Sequence, residues 1–264
     1  MSKFIDKLTR LSRGETQAIG FTARQAASPR PKIQLVASLA MESAESLTGH
    51  VAGADAVLLG ISKPATGAEA LQKLSQSMPD IIWGGWLQGT TQGEINQLTQ
   101  AGCDFVVFSA ADTPLTIIKN NKETGKILAV ESSLSEGLLR TVNELPVDAV
   151  LIADEVKESQ ILTWQHLILF QRVADLLTKP LLVSVPPQVT AAELEALWEA
   201  GISAVVTEIS PKQPEDRLMT LRQEIDKIEF SSRRSKRGEA LVPRISQPST
   251  RPAPEEDDDE EEDE

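Results

Sequence analysis

Short apolar runs alternate with longer amphipathic segments along most of the chain. Four of the runs share an entry pattern, in which a small residue and a turn precede Asp or Ser and then a β-rich stretch. Each run is too short and too continuously apolar for a half-solvated antiparallel strand, so each predicts a buried strand. The four entries are Ala52-Gly-Ala-Asp-Ala-Val-Leu, Ala101-Gly-Cys-Asp-Phe-Val-Val, Leu145-Pro-Val-Asp-Ala-Val-Leu and Ala200-Gly-Ile-Ser-Ala-Val-Val. Four further runs, entered through Pro or Gly, are Ile33 to Leu39, Ile81 to Leu87, Ile127 to Ser132 and Leu181 to Val185.

A helical pattern follows each predicted strand. Strand alternating with helix predicts parallel pairing through right-handed crossovers, and eight such units close a single (β/α)8 barrel. A doubly wound sheet of six or seven strands is the alternative, and it accounts less well for the fourfold repeat. The predicted helices centre on residues 43–51, 66–78, 91–101, 114–122, 134–144, 159–178, 190–200 and 213–229.

Capping boxes mark the starts of four of these helices. In such a box a hydroxyl and the carboxylate three residues later satisfy free amides of the first turn. All four boxes come just after a predicted strand, which supports the assignment of the helices. They are Thr66 with Glu69, Thr91 with Glu94, Ser133 with Glu136 and Thr190 with Glu193.

The entry segments, Ala52-Gly-Ala-Asp-Ala-Val above all, resemble those of the aldolase-type (β/α)8-barrel superfamily, which includes phosphate-binding barrels. The resemblance extends from residue 33 to about residue 210 and implies the fold. It concerns the helix-to-strand turns at the end of the barrel opposite to catalysis, so it implies no particular activity. No specific family is identified.

The two ends of the chain differ from the predicted barrel, residues 33–230. Residues 1–15 place Phe4, Ile5, Leu8 and Leu11 on one helical face, with basic residues elsewhere. This pattern predicts a helix that closes one mouth of the barrel, the alternative being a helix lying on a membrane surface. Residues 24–32 are predicted to form an extended lead-in to the first strand.

Residues 231–264 predict a disordered tail. The tail begins with the basic stretch 231–238, continues through a Pro/Ser-rich segment and ends in ten acidic residues at 255–264. Such a composition cannot bury enough apolar surface to offset the entropy of ordering. The tail is either an interaction segment, whose acids face a basic protein partner, or a solubilising polyampholyte.

Composition restricts the functional class. The net charge is −13, but the ten terminal acids account for most of it, so nothing in the folded part suggests a nucleic-acid groove. The first residues lack the apolar stretch of a secretory signal, and no run is long enough to span a membrane. A single cysteine, Cys103, excludes an internal disulfide and fits a reducing cytoplasm.

Active sites of these barrels lie at the C-terminal ends of the strands. Both histidines, His50 and His166, fall in predicted helices, so no imidazole base or histidine-ligated metal is expected there. Cys103 precedes a strand, which favours a small buried residue over a nucleophile. The chain has no tyrosine. The predicted strand ends offer Ser38, Glu42, Ser62, Lys63, Trp86, Gln88, Ser109, Asp112, Glu131, Ser132, Asp154, Glu155, Ser184 and Glu208.

The usual phosphate site is missing from the sequence. Barrels that hold phosphate present backbone amides from glycine-bearing loops after strands seven and eight. Here those loops contain Pro186, Pro187 and Pro211, and proline has no amide to present. This weakens an assignment as a flavin (FMN) enzyme or a sugar-phosphate lyase.

Three carboxylates remain as candidate metal ligands. Glu131, Asp154 and Glu208 end three different predicted strands and could together hold Mg²⁺ or Mn²⁺, which prefer oxygen ligands. If they face outward instead, they merely stabilise helix N-termini. Lys63 could form a Schiff base, although its position in a loop favours an ordinary solvated lysine. Trp86 is either a platform for a planar ligand or a filler of the space beside Gly84 and Gly85.

Two functional hypotheses follow. In the first, favoured by the many enzymes among such barrels, the chain is a lyase or isomerase acting on a small organic acid. Its candidate catalytic residues are Lys63, Glu131, Asp154 and Glu208, around a divalent cation. In the second, the barrel is not catalytic and serves as a binding or assembly module through its charged tail.

Overall fold

Eight parallel strands close into one barrel, each hydrogen-bonded to the next and β8 to β1. The computed structural model describes residues 2–13, 32–44, 46–62, 64–87, 92–115, 123–153, 161–211 and 213–227. The (β/α)8 prediction is therefore confirmed, and the doubly wound alternative is excluded. The strands are β1 (Gln34–Ala40), β2 (Ala56–Ile61), β3 (Ile82–Leu87), β4 (Phe105–Ser109), β5 (Gly125–Val130), β6 (Ala149–Ile152), β7 (Leu181–Val185) and β8 (Ala204–Glu208).

Seven α-helices are present in the described residues. One predicted helix, 43–51, is wrong: two short 3-10 turns, Met41–Ser43 and Thr48–Val51, connect β1 to β2 instead. The prediction at 114–122 falls almost wholly outside the described residues, as does the C-terminal tail. The helices are α1 (Lys3–Arg13), α2 (Pro64–Ser77), α3 (Gln92–Gln100), α4 (Glu136–Val142), α5 (Trp164–Leu176), α6 (Ala191–Glu199) and α7 (Arg217–Lys227).

Of the predicted capping boxes, the one at Thr190 and Glu193 is confirmed, with both reciprocal hydrogen bonds present. Two others are wrong. Helix α2 already begins at Pro64, so Thr66 lies inside it, and α4 is preceded by Ser135 rather than Ser133. Thr91 is outside the described residues. A box that the sequence did not suggest caps α5, where the Nδ1 atom of His166 accepts the Thr163 amide at 3.0 Å.

The strands separate two apolar cores. Alternate side chains point into the barrel, where Val36, Leu58 and Leu151 belong to an inner core. The residues between them point outward and pack under the helices, as Leu35, Leu59 and Val150 do in the outer core. Side chains alternate in direction along a strand. One residue that belongs to a known core therefore shows which way each remaining residue of that strand points.

The fourfold repeat has a structural explanation in its helix-to-strand turns. Gly53, Gly102 and Gly201 adopt left-handed φ values of 92°, 99° and 97°, a region that favours glycine. The third turn has Pro146 instead. There Lys179 donates hydrogen bonds to the carbonyls of Leu145 and Val147, at 3.0 and 2.7 Å. The Ala-Gly of the repeat is thus required by backbone geometry at the end opposite to the candidate site.

The repeated aspartates join neighbouring strands at that same end. The Asp55 amide donates to the carbonyl of Leu35, and the Asp55 carboxylate accepts the Leu35 amide, both at 2.8 Å. Asp148 makes the same pair of bonds to Lys126. The repeat is therefore a device for pairing strand starts and carries no catalytic role.

Asp104 uses its carboxylate differently, and in doing so it positions α1. Its carboxylate oxygens accept the amides of Lys3 and Phe4 at 2.8 and 2.9 Å and the Ser2 hydroxyl at 2.6 Å. A carboxylate at this helix start is stabilised both by the free amides and by the helix dipole.

Helix α1 closes the N-terminal mouth of the barrel. Phe4, Ile5 and Leu8 are buried in the inner core, and the Phe4 ring stacks on Phe105 with the ring centroids 4.6 Å apart. A Cβ at Gly125 would clash with the Ile5 side chain, so the strand approaches the helix as closely as glycine permits. The predicted mouth-closing helix is confirmed. Its apolar face is used inside the protein and not on a membrane surface. In the described part of the chain, no helix combines the length and apolarity needed to cross a membrane.

Asp55 also pairs with Arg222 of α7. Burial raises the pKa of Asp55, against the opposing effects of the Arg222 guanidinium and the Leu35 amide. An acid with a raised pKa holds its proton more readily folded than unfolded, so its contribution to stability falls as pH rises from its ordinary pKa towards the raised one.

We therefore expect Arg222→Met to raise the pKa of Asp55 further and to cost about 2 kcal/mol near neutral pH, since it leaves a mostly buried charge unpaired. The cost should shrink as the pH is lowered from neutral to acidic, because Asp55 then takes up a proton. Urea unfolding at neutral and at acidic pH measures this difference. In an Asp55→Asn background, Arg222→Met should cost the same at both pH values. A pH-independent cost in the Asp55 background would contradict the assignment.

Candidate active site at the open end of the barrel

One inward-facing position from each strand lines the C-terminal mouth of the barrel. The deeper inward-facing residues are buried, whereas six of these eight are half-buried and two are exposed. These positions thus place five polar side chains and an indole above an apolar floor. We call these positions the mouth ring: Ser38, Gly60, Trp86, Ser109, Glu131, Ala153, Ser184 and Glu208.

Two of the predicted carboxylates belong to the mouth ring. Glu208 has the same direction as Ala204 and Val206 of the inner core, and it lies beside Ser38 in the β1–β8 register. Glu131 follows β5 with the direction of Ile127 and Ala129. By strand alternation, both glutamates belong to the inward-facing set of their strands.

The two glutamates stand on different strands and have different partners. The Glu131 carboxylate accepts the Ser133 hydroxyl at 3.0 Å, within its own turn. The backbone carbonyl of Glu208 accepts the side-chain amide of Gln213 at 3.1 Å, which ties β8 to the loop before α7. Strands β5 and β8 are separated by β6 and β7. The carboxylates therefore approach the mouth from separate sides.

The Phe105 ring and the Ile61 side chain lie beside the two glycines that precede Trp86. A Cβ at Gly84 would clash with the Phe105 ring, and a Cβ at Gly85 would lie 2.9 Å from Ile61, so those two side chains occupy that space. Trp86 instead packs on the edge of the inner core, half-buried, beside Gly60 in the β2–β3 register. Since Gly60 has no side chain, β2 places no side chain beside the indole at this level of the barrel.

Two members of the predicted set, Lys63 and Asp154, lie outside the described residues. Asp154 directly follows Ala153 of the mouth ring, and Lys63 follows β2. Within the described residues, no group of three His, Cys, Asp or Glu side chains could hold a metal ion. The metal set of Glu131, Asp154 and Glu208 stays a prediction.

The loops after β7 and β8 use their amides internally. The Val189 amide donates to the carbonyl of Pro186 at 3.1 Å, and the Thr190 amide donates to Glu193. After β8, the Ile209 amide donates to Ser38 and the Gln213 amide to Ser210. These amides are already hydrogen-bonded within the protein, and the prolines of the two loops have no amide hydrogen to donate.

Neither the histidines nor the cysteine belongs to the mouth ring. His50 is buried in the turn before β2, with its Nε2 atom 3.2 Å from the Gln213 carbonyl, and His166 caps α5. Cys103 is buried before β4, and burial raises the pKa of its thiol to about 12. A thiol in this environment stays protonated and is a poor nucleophile.

Known structures share the fold but little sequence. No protein-family model matches the chain, and no curated protein matches it. The tryptophan synthase α-subunit of Pyrococcus furiosus superimposes with a TM-score of 0.57 at 11% identity, covering 73% of this chain and 96% of that one. Thiamine phosphate pyrophosphorylase from the same organism gives 0.56 at 11% identity, covering 74% and 96%.

A third similar structure, KGPDC from Streptococcus mutans, gives a TM-score of 0.59 at 12% identity, covering 74% of this chain and 98% of that one. All three are TIM-barrel enzymes. The chain is a TIM barrel. At these identities the likeness establishes the fold alone. The superfamily resemblance predicted from the entry segments is confirmed at that level.

Proposed function

We propose that the chain is an enzyme and that the mouth ring is its active site. The observation that carries the proposal is that Glu131 and Glu208, chosen from the sequence as strand-end carboxylates, both face inward and are exposed at the open end. Exposed carboxylates above an apolar floor, with serine hydroxyls and an indole around them, suit binding of a small polar ligand.

The charge of the mouth ring bears on which ligand it takes. Its described members include two glutamates and no lysine or arginine. A small organic acid would therefore be repelled unless a cation lies between it and the carboxylates. We propose that Glu131, Asp154 and Glu208 hold Mg²⁺ or Mn²⁺, whose preference for oxygen ligands they meet.

Each residue then has a distinct task in a lyase or isomerase reaction on such an acid. The bound cation would polarise the carboxylate or carbonyl oxygen of the substrate. The hydroxyls of Ser38 and Ser184 would donate hydrogen bonds to other substrate oxygens, and Trp86 would cover one face of the substrate. Lys63 is the proposed amine near the cation, able to form a Schiff base with a carbonyl substrate.

Thermal unfolding with Mn²⁺ tests this proposal. A ligand at one hundred times its Kd stabilises the native state by about 2.7 kcal/mol, which corresponds to roughly 5 to 10 °C in Tm for a domain of this size. We expect such a shift for the natural chain and a loss of most of it in the Glu131→Gln/Glu208→Gln double variant. A second screen adds small organic acids with and without Mn²⁺, and we expect binding only with the cation.

The acidic tail is the main source of ambiguity, because ten carboxylates also bind cations. Since every variant retains the tail, its contribution cancels when shifts are compared. Glu224→Gln is the matched control, an exposed glutamate on the outside of α7. If the double variant and Glu224→Gln keep the same shift, the mouth does not bind the cation. The assembly-module hypothesis then gains, and comparing the captured partners of the full chain with those of residues 1–230 would test it.

A further inference from the structure

The outward face of α5 is unusually apolar for the surface of a barrel. Four of the seven large hydrophobic side chains exposed in the described residues lie on or beside this helix. The helix itself carries only two charges, Arg172 and Asp175. The four are Trp164, Ile161, Ile168 and Leu138, with exposed fractions of 79%, 73%, 60% and 55%.

Both sides of α5 carry large apolar side chains. Phe170, Val173 and Ala174 pack inward under the helix. Trp164 and Ile168, one turn apart, point the opposite way, and Leu138 lies on the neighbouring helix α4. A surface helix of a monomer normally has a polar outer face. Large apolar side chains exposed side by side on such a face indicate an interaction site.

We propose that this face, which we call the α5 face and define as Leu138, Ile161, Trp164, Ile168 and Arg172, pairs with the same face of a second copy of the chain. This inference is independent of the chemistry proposed for the mouth ring. It follows from the order of residues along the helix, which is suited to self-pairing.

The order places an aromatic ring and a cation symmetrically about Ile168. Trp164 lies one turn before Ile168, and Arg172 lies one turn after it. When two copies of the helix pack antiparallel about a two-fold axis at Ile168, each Trp164 faces Arg172 of the other copy. A guanidinium over an indole is the most favourable cation–π arrangement in proteins, and the two isoleucines meet on the axis.

The present partners of Arg172 do not oppose this pairing. Its Nε atom lies 3.9 Å from a Glu136 carboxylate oxygen, and its Nη2 atom donates to the Leu134 carbonyl at 3.3 Å. The ion pair is long and half-exposed, so it holds the guanidinium weakly. The other exposed positions of the helix are Gln165, Gln171 and Asp175, and an axis at Ile168 places Asp175 opposite Ile161 of the other copy, so no like charges meet across it.

Sedimentation velocity on the full chain, from micromolar to sub-millimolar concentration, tests the proposal. We expect a monomer–dimer equilibrium, and we expect Ile168→Glu to raise the dimer Kd at least about 100-fold because it brings two carboxylates together on the axis. Leu115→Glu is the matched control. Leu115 is 92% exposed and follows β4, away from α5, so its variant should dimerise like the natural chain.

Disulfide trapping adds a geometric test that does not depend on the folding of a charged variant. The only natural cysteine, Cys103, is buried and does not compete. Ile168→Cys should form a covalent dimer with itself on oxidation. Trp164→Cys and Arg172→Cys should each link poorly alone but should link to each other when mixed.

Four results would overturn the proposal. The natural chain sediments as a monomer throughout, or Ile168→Glu dimerises as well as the control, or the cysteine variants link without the expected pattern. A dimer that disappears on removal of residues 231–264 but survives Ile168→Glu would also overturn it, because the tail and not the α5 face would then hold the copies together.

Discussion

Replacing Phe4 by Ala is expected to cost about 3 to 5 kcal/mol, the usual range for deleting a fully buried aromatic ring. Phe4 is completely buried, stacks on Phe105 and occupies the floor of the inner core. Removing the ring leaves a cavity at the closed end of the barrel and weakens the docking of α1. For a domain of this size we expect Tm to fall by about 10 °C, measured together with urea unfolding.

Arg10→Ala is the control in the same helix. Arg10 is exposed, and alanine is at least as good a helix former, so we expect a change within about 0.5 kcal/mol. If Phe4→Ala lowered the free energy of unfolding as little as Arg10→Ala, α1 would not be part of the folding unit. The proposed division at residue 32, with a separate N-terminal segment, would then describe the chain better than one unit closed by α1.

The second large effect is expected at Gly53. Its φ of 92° is unfavourable for any residue with a side chain, and a Cβ there would lie 2.7 Å from the Met219 Cα and 2.8 Å from the Leu218 carbonyl oxygen. Both contacts are with backbone, so α7 would have to move. We expect Gly53→Ala to cost at least about 3 kcal/mol in urea unfolding, because backbone strain and overpacking add.

Two other glycines separate these causes. Gly102 has a similar φ of 99°, but a Cβ there would meet only the Ser75 side chain, with its hydroxyl oxygen at 3.3 Å. Gly102→Ala therefore reports the strain alone, about 1 to 2 kcal/mol. Gly137 lies in α4 with nothing near, and Gly137→Ala should stabilise by up to about 1 kcal/mol. Equal costs at Gly53 and Gly102 would show that the contact with α7 is unimportant.

The glycines of the helix-to-strand turns also explain why the fold was predictable from the sequence. Ala-Gly-X-Asp recurs because the left-handed turn needs glycine and the next strand start needs a carboxylate, so the local chemistry repeats with the architecture. The β1–β2 connection was missed for the opposite reason. The segment around residues 43–51 has helical periodicity, but the chain there forms only two 3-10 turns before His50 is buried against the loop after β8.

The candidate site was predictable only in part. Alternation along a strand gives the relative direction of its residues, but not which set faces the barrel axis, because both sides of these strands are apolar. The structure resolves this for Glu131 and Glu208. Ser184, also named among the predicted strand ends, shares the direction of Leu182 and belongs to the mouth ring. The role of Gly84 was not accessible, because it depends on the Phe105 ring of the neighbouring strand.

The position at which a divalent cation binds tests the proposed active site most directly. Anomalous diffraction from crystals grown with Mn²⁺ locates the ion without reference to activity. We predict a peak at the open end of the barrel, within about 2.2 Å of a carboxylate oxygen of Glu131 or Glu208. Manganese bound only elsewhere on the chain, with no peak at the mouth ring, would contradict the proposed active site.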